Sequence, residues 1–252
     1  VAVKLNLTLI NDASLPASLL GVPIIPSVAI EVSTGVYEWV DYGKFYAETG
    51  DIKKTDASIT IECFDIMPTL DAVKYSSQLT FPATIASVIS EIATNNSVVF
   101  ETQTLPVITV DFVPTGTVRQ ALGQLATLLS TNIIVNKSGK LEFRFTNTIP
   151  PATFSFDGNS YIDFRLLSGA KSKISQITIE LEDKTELVTG DSTGLNVKFQ
   201  NSLIRDQATL DTVFARVYPL LFDSYRMKCQ GFPHLNIGDI VQFTDVKSVV
   251  YN

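Results

Sequence analysis

The spacing of apolar residues changes period twice along this chain, and that change constrains the fold more than any other feature of the sequence. Val3, Leu5, Leu7 and Leu9 alternate with polar residues, which is the pattern of a half-buried strand. From Asp65 to residue 130 the apolar residues recur instead at helical spacing, and alternation returns after residue 170. The order is strands, then helices with a hairpin, then strand, helix and strand, and it predicts an α+β fold.

Four helices are predicted from apolar stripes that would each lie on one helix face. Asp65 is a candidate cap for the first helix, and Pro219 should kink or shorten the end of the fourth. Gly123 weakens the third helix by about 1 kcal/mol relative to alanine, so we expect it to permit close packing. The predicted stripes are Ile66, Leu70 and Val73; Ile85, Val88, Ile89 and Ile92, after Pro82; Val118, Leu122, Leu125 and Leu129, within 115–130; and Leu210, Val213, Phe214, Val217, Leu220 and Leu221, within 206–222.

Glycines and polar runs mark the predicted turns. Residues 133–135 and 141–145 flank a polar loop in which Gly139 should adopt a positive φ, as in a short hairpin. Gly43 permits a tight turn or bulge in the aromatic segment around it. Residues 182–194 are predicted to form a polar turn between two paired strands, and residues 148–151 to form a stiff linker.

The composition of the chain excludes several classes of function. The 252 residues suffice for one to two domains with a real core, and the net charge of -7 argues against a phosphate-binding surface. His234 is the single histidine, and Cys63 and Cys229 are the two cysteines, which we expect to be free thiols. These counts exclude a zinc finger, an iron–sulfur cluster and any site with two histidine ligands. No cofactor is predicted.

Few side chains offer acid–base chemistry. His234 lies in a loop between two predicted strands, and a catalytic role would require a nucleophile and a carboxylate that sequence alone does not place beside it. Carboxylates cluster around one predicted turn, which is compatible with a calcium site or a glycosidase pair but is more typical of a solvated hairpin tip. The clustered residues are Glu180, Glu182, Asp183, Glu186 and Asp191, with Lys184 among them.

Two further features stand out. Arg119 opens the third predicted helix, where a cation opposes the helix dipole, so we expect a specific salt bridge there. Trp39, the single tryptophan, alternates with Tyr37 on a predicted strand close to Tyr42. Such an aromatic face is usually core or interface, and a stacking platform for sugars or bases is the alternative.

Several short motifs follow one another along most of the chain, at residues 37–46, 59–70, 79–84, 119–122, 138–141 and 235–241. Their residue types, order and spacing resemble the tail hub, or tail-associated structural, proteins of long-tailed phages, prophages and contractile injection systems. The positions that carry the resemblance are Trp39, Gly43, Phe45, Asp65, Pro82, Arg119, Gly139, Gly238 and Asp239.

The resemblance implies β-barrel-like domains that flank a small α+β domain. We assign residues 1–75 to an N-terminal β domain, 76–150 to a small α+β domain with two helices and a hairpin, and 151–252 to a C-terminal β-rich domain with one long helix. The strand-like residues at both ends suggest a piece of a longer chain, so this last domain is expected to be truncated.

The resemblance also implies a function without catalysis in this segment. Such a protein forms a homotrimeric ring at the tail tip or baseplate of the virion, after synthesis in the host bacterial cytoplasm. The ring closes the tail tube and contacts the distal tail protein, the tape measure protein and receptor-binding or tail-fibre proteins, or lytic parts, while DNA only passes through. A lytic module downstream of these residues stays open, and the acidity suggests a channel that repels phosphates.

Two other functions remain as alternatives. The first is a β-rich carbohydrate-binding or adhesion module, with an aromatic groove built on Trp39 and Tyr42. The second is a carboxylate-dependent cell-wall hydrolase that uses Glu180 or Glu182. No membrane-spanning segment is predicted, because the most apolar stretch, residues 15–30, is short and contains three prolines.

Overall fold

A computed structural model of the protein describes residues 3–10, 21–47, 53–55, 58–145, 154–157, 161–167, 172–217, 221–222, 225–229, 232, 235, 239–244 and 250–251. The helices are α1 (Met67–Ala72), α2 (Ile85–Asn96), α3 (Val118–Leu129) and α4 (Gln207–Val217). The strands are β1 (Lys4–Ile10), β2 (Pro23–Ile24), β3 (Ser27–Ser33), β4 (Val36–Asp41), β5 (Phe45–Ala47), β6 (Lys53–Lys54), β7 (Ser58–Phe64), β8 (Ala83–Thr84), β9 (Thr109–Val110), β10 (Thr131–Val135), β11 (Leu141–Phe145), β12 (Phe154–Phe156), β13 (Tyr161–Leu166), β14 (Ser172–Glu180), β15 (Glu186–Gly190), β16 (Leu195–Phe199), β17 (Leu221–Phe222), β18 (Tyr225–Cys229), β19 (Val241–Thr244) and β20 (Val250–Tyr251). The class is α+β with a majority of strands, as the residue periodicity predicted.

The N-terminal sheet is antiparallel and carries a small core of its own. Its strands run in the order β1-β7-β5-β2, and β6 pairs with β7. Leu5 lies opposite Cys63 and Leu7 lies opposite Ile61, so the alternating apolar residues share one face of the sheet. The fully buried members of this core are Phe45, Ala47, Ile59, Ile61 and Cys63.

A larger core joins the helices to the C-terminal strands. The predicted stripe of α2 is confirmed, because its buried residues are Ile85, Val88, Ile89 and Ile92. In α3 the Thr117 side chain accepts from the backbone of Gln120, whose side chain in turn accepts from the Thr117 N–H. This reciprocal cap fixes the start of the helix, and α3 packs against α1, β10 and α4.

The first helix differs from its prediction. The Asp65 carboxylate does accept a hydrogen bond from the Met67 N–H, as a cap would. However, the inward residues are Met67 and Leu70, while Val73 follows the helix in an extended conformation and is exposed. Leaving the helix at Val73 allows its carbonyl to accept from the Val118 N–H, which links this segment to α3.

Two predictions for the C-terminal region are wrong in part. Residues 182–194 are not one polar turn, because Glu186–Gly190 forms β15 and pairs antiparallel with β14. The next strand, β16, lies on the other side of β14 and runs parallel to it. Helix α4 ends at Val217, and Leu221–Phe222 forms β17 instead of a final helical turn. Pro219, for which a kink or shortening was predicted, lies outside the described residues.

Other predictions have mixed outcomes. The 133–145 hairpin forms as β10 and β11, with Gly139 at φ +74°. Gly123 does not mediate close packing, because a Cβ built there would meet nothing within 4 Å. Cys63 is buried, Cys229 is partly buried, and both are free. The linker 148–151, His234 and Gly238 lie outside the described residues.

No helix among the described residues is long and apolar enough to cross a membrane.

A half-buried carboxylate links the segment after α1 to α2. Glu91 of α2 accepts hydrogen bonds from the Tyr75 hydroxyl at 2.7 Å, from the Ser77 hydroxyl at 2.7 Å and from the Gln78 N–H at 2.6 Å. These bonds lower the pKa of Glu91 although burial opposes the shift. Burial, together with the Glu91 charge, raises the pKa of Tyr75 to about 12.

We expect the substitution Tyr75→Phe to lower the free energy of unfolding by about 1–2 kcal/mol at pH 7, since Glu91 loses one of its donors. In the unmodified protein, stability should fall between pH 10 and pH 12. There an unfolded tyrosine has released its proton while folded Tyr75 retains it. This alkaline loss should be smaller in the variant. Urea denaturation at pH 7, 9 and 11 measures both effects.

The matched control is Tyr37→Phe, because the Tyr37 side chain is exposed. It should change stability little at any of the three pH values. An alkaline loss of equal size in the Tyr75→Phe variant and in the unmodified protein would contradict the assignment to Tyr75.

Candidate functional site: an exposed β-ribbon and the cavity at its base

Strands β3 and β4 form a two-stranded ribbon, residues 27–41, that pairs with no other strand in the described part of the chain. Gly35 adopts φ +75° in its turn, where the Gly35 N–H donates to the Glu31 carboxylate at 2.8 Å. At the other end the Tyr42 N–H donates to the Pro26 carbonyl at 2.8 Å and closes the base. The ribbon is thus fixed locally at both ends.

Both faces of the ribbon expose apolar side chains. Register places Val28 opposite Val40 and Ile30 opposite Glu38, so these residues and Val36 share an aliphatic face. The other face carries Ala29, Tyr37 and Trp39. Trp39 is 68% exposed, Tyr37 56% and Val36 53%.

Such exposure indicates an interaction surface. An isolated two-stranded ribbon is only marginally stable in water, and a contiguous exposed apolar patch usually marks a contact with a partner. The aromatic strand was predicted to belong to a core or to an interface. The core prediction is wrong for a single copy of the chain, and the interface prediction remains. The ribbon also carries three carboxylates, Glu31, Glu38 and Asp41, and its sequence contains no lysine or arginine.

A cavity of about 360 Å³ lies at the base of the ribbon. It is bounded by β1, by the segment after β4 and by the tip of the β10–β11 hairpin. Most of its wall is apolar, with three lysines among the lining residues. We call it the lysine cavity; its lining consists of Val3, Lys4, Leu5, Pro26, Tyr42, Gly43, Lys44, Phe45, Asp65, Val135, Asn136, Lys137 and Leu235.

Aromatic rings hold two of these lysines in place. The Lys137 ammonium lies 5.8 Å from the centre of the Tyr42 ring, and that of Lys44 lies 5.7 Å from the Tyr46 ring. Burial lowers the pKa of Lys137, while the nearby Asp239 charge opposes that shift. The cavity therefore presents cations beside an apolar wall.

Two glycines of the motif series shape this region. A Cβ at Gly139 would lie 2.9 Å from the Lys44 Cβ, so the hairpin tip approaches the N-terminal sheet closely because residue 139 has no side chain. Gly43 is buried at φ +127°, and a Cβ there would meet the Phe45 ring at 3.2 Å. Only glycine adopts such a conformation without strain.

Two acidic motif positions act as structural links. Asp65 is buried and accepts from the Val3 N–H at 2.8 Å as well as from Met67, and burial raises its pKa despite these bonds. Asp239 accepts from the Arg144 guanidinium at 2.9 Å. Both join distant parts of the sequence.

The structure brings together part of the predicted set. Gly43, Phe45 and Asp65 line the lysine cavity, Gly139 lies against Lys44, and the charge of Asp239 acts on Lys137. Trp39 stands on the ribbon outside the lining. Pro82, after a cis peptide bond, and Arg119 lie elsewhere, near α2 and α3.

The predicted salt bridge of Arg119 is confirmed, since its guanidinium lies 3.3 Å from Asp71 of α1. Asp71 also accepts from the Thr117 hydroxyl at 3.0 Å.

The sequence did not single out Lys44 and Lys137 as lining residues. Their position depends on packing between segments about 90 residues apart. The positive-φ glycine two residues after Lys137 was the one local signal.

The acidic turn is a hairpin tip with its charges paired. Lys184 and Lys198 both contact Glu180, at 2.8 and 3.4 Å, and their hydrogen bonds lower its pKa. Arg205 lies 3.3 Å from Glu182. A glycosidase acid needs a raised pKa, so this arrangement disfavours the hydrolase alternative. No group of three or more metal-ligating side chains occurs among the described residues.

A second, open cleft of about 840 Å³ separates α3 from this turn. Its polar groups already bond to one another. The Gln124 side chain bonds to Thr115 and accepts from the Ser202 hydroxyl, while Asn201 caps the Leu203 N–H. The cleft consequently offers few unpaired groups to a ligand.

Comparison with known proteins reveals similarity at the level of the fold. No protein-family model and no curated protein sequence matches the chain. Several solved structures do match the chain. A tail protein from Neisseria meningitidis MC58 is 14% identical with a TM-score of 0.60, over 99% of this chain and 80% of that one.

Two prophage proteins give similar values. The 43 kDa tail protein of prophage MuSo2 from Shewanella oneidensis is 13% identical with a TM-score of 0.57, over 98% of this chain and 81% of that one. A prophage tail protein from Listeria monocytogenes EGD-e is 13% identical with a TM-score of 0.50, over 86% and 73%. The resemblance drawn from the motifs is thereby confirmed for the fold, which this chain shares with phage and prophage tail proteins.

Replacing Trp39 by alanine should change the free energy of unfolding by less than about 0.5 kcal/mol, because its ring buries little in the isolated chain. Ile61→Ala, in the small N-terminal core, should cost about 2–5 kcal/mol. Urea denaturation at dilute protein compares the two variants. A loss at Trp39 as large as that at Ile61 would show that the ring packs within one copy.

Proposed function

We propose that this chain is a structural subunit of a phage or prophage tail. In this proposal three copies form a hub ring at the tail tip or baseplate of the virion. The ring closes the tail tube and connects it to the distal tail protein, the tape measure protein and receptor-binding or lytic parts. β-barrel-like modules at both ends of the chain would flank the α+β module in each copy.

The observation that carries the proposal is the ribbon, which exposes apolar residues on both faces. Assembly would cover those faces, because burying apolar surface is the main favourable contribution to protein association. The shared fold with tail proteins supports the same interpretation. A ring subunit requires rigid modules and complementary surfaces, not a reaction centre.

The alternatives have weaker support. Tyr42 lines the lysine cavity while Trp39 does not, so the described residues give no single groove with both rings as walls. The carboxylates Glu180 and Glu182 are engaged by lysine and arginine. A non-enzymatic role for this segment follows as part of the proposal.

The acidic composition fits a channel that DNA crosses without binding. A net charge of -7 per copy repels phosphates over distances near the Debye length, about 8–10 Å at physiological salt. Synthesis in the bacterial cytoplasm followed by incorporation into the virion completes the proposal.

We expect the full-length protein to have the mass of three copies in mass photometry, and labelled copies to lie at the tail tip in electron micrographs of the particle. The channel of the ring should carry more carboxylates than lysines and arginines. A full-length protein that is strictly monomeric and never enters tails would overturn the proposal. A channel lined mainly by cations would overturn its electrostatic part.

A further inference from the structure

We infer that the ribbon of one copy docks into the lysine cavity of the next, with Trp39 as the anchoring side chain. This inference rests on the proposed self-association and names the surfaces that carry it. In this inference a second copy of this chain occupies the cavity.

The anchor and the cavity match in apolar character. Trp39 is 68% exposed. Energetically dominant interface residues are enriched in tryptophan and fill desolvated pockets. The lysine cavity has about 360 Å³ and an apolar wall that includes Leu5, Phe45 and Val135, so it offers such a pocket.

The charges are complementary as well. The ribbon contributes Glu31, Glu38 and Asp41 and no cation. Three lysines and the Asp65 carboxylate line the cavity, and Lys4 already pairs with Glu62 at 2.6 Å, so the complementary cations are Lys44 and Lys137. A lysine beside the face of an indole is also attracted by the ring itself. Complementary charge of this kind selects the partner and fixes its orientation.

The placement of the two surfaces excludes docking within one copy. The cavity lies at the base of the ribbon, at Pro26 and Tyr42, and Trp39 of the same copy is exposed rather than part of the lining. In the inferred docking the ribbon therefore uses the cavity of another molecule. Contacts between two different surfaces build a ring when the rotation closes.

The test uses the full-length protein and Trp39, the single tryptophan of these 252 residues, as a reporter. On assembly the fluorescence of Trp39 should shift to shorter wavelength, and its quenching by acrylamide should fall at least about twofold as the ring leaves water. Trp39→Ala should weaken self-association at least about tenfold in mass photometry, as expected for a central interface residue. Trp39→Phe should retain most of the affinity.

The cavity is tested by the double variant Lys44→Glu and Lys137→Glu, matched with Lys44→Arg and Lys137→Arg. Only the glutamate pair should weaken self-association, again at least about tenfold. Val107→Ala, at an exposed position outside both surfaces, should leave association unchanged. Circular dichroism establishes that each variant is folded.

Mixing the two variants distinguishes docking of a ribbon into a cavity from direct contact between two ribbons. The Trp39→Ala copy keeps an intact cavity, and the double-glutamate copy keeps an intact ribbon. Each alone should be monomeric, and an equimolar mixture should form two-copy complexes. Assembly by the double-glutamate variant alone, or unchanged assembly of Trp39→Ala, would overturn the docking inference while the hub proposal stands. A monomeric unmodified protein would overturn both.

Discussion

The close approach of Gly139 to Lys44 is one of the contacts that join the two hydrophobic parts of the molecule. The small core under the N-terminal sheet and the large core around α2, α3 and β14 are separate clusters. They meet where the β10–β11 tip reaches the segment after the ribbon, and a side chain at residue 139 would collide with Lys44. Asp65 reinforces the junction, because its carboxylate bonds to both β1 and α1. The base of the ribbon and the lysine cavity owe their shape to this junction.

Local sequence signals predicted the parts of the fold whose interactions are local. The α2 and α3 stripes and the positive φ of Gly139 follow from helical period and turn chemistry. Strand β15 was missed because its two apolar residues, Leu187 and Val188, are adjacent and do not alternate. Its hydrogen bonds to β14 come from the backbone, which carries no sequence signature. The side-chain orientation at Val73 likewise depended on tertiary packing.

The sequence predicted the type of surface at the candidate site but not the location of the cavity. The sequence identified the aromatic segment around Trp39 as a core or interface face, and the structure excludes the core for a single copy. It did not identify the cavity, because Lys44 and Lys137 meet only through the packing of the hairpin on the sheet. The motif glycines Gly43 and Gly139 lie in that region, but their sequence pattern did not predict a cavity there.

The carboxylates of the ribbon have a consequence for the unassembled subunit. A two-stranded ribbon with free edges and apolar faces is a template for sheet-to-sheet aggregation in a crowded cell. Glu31, Glu38 and Asp41 give every ribbon the same sign of charge, so two ribbons that approach each other repel. We expect this repulsion to oppose the pairing of ribbons from newly made chains into fibrils.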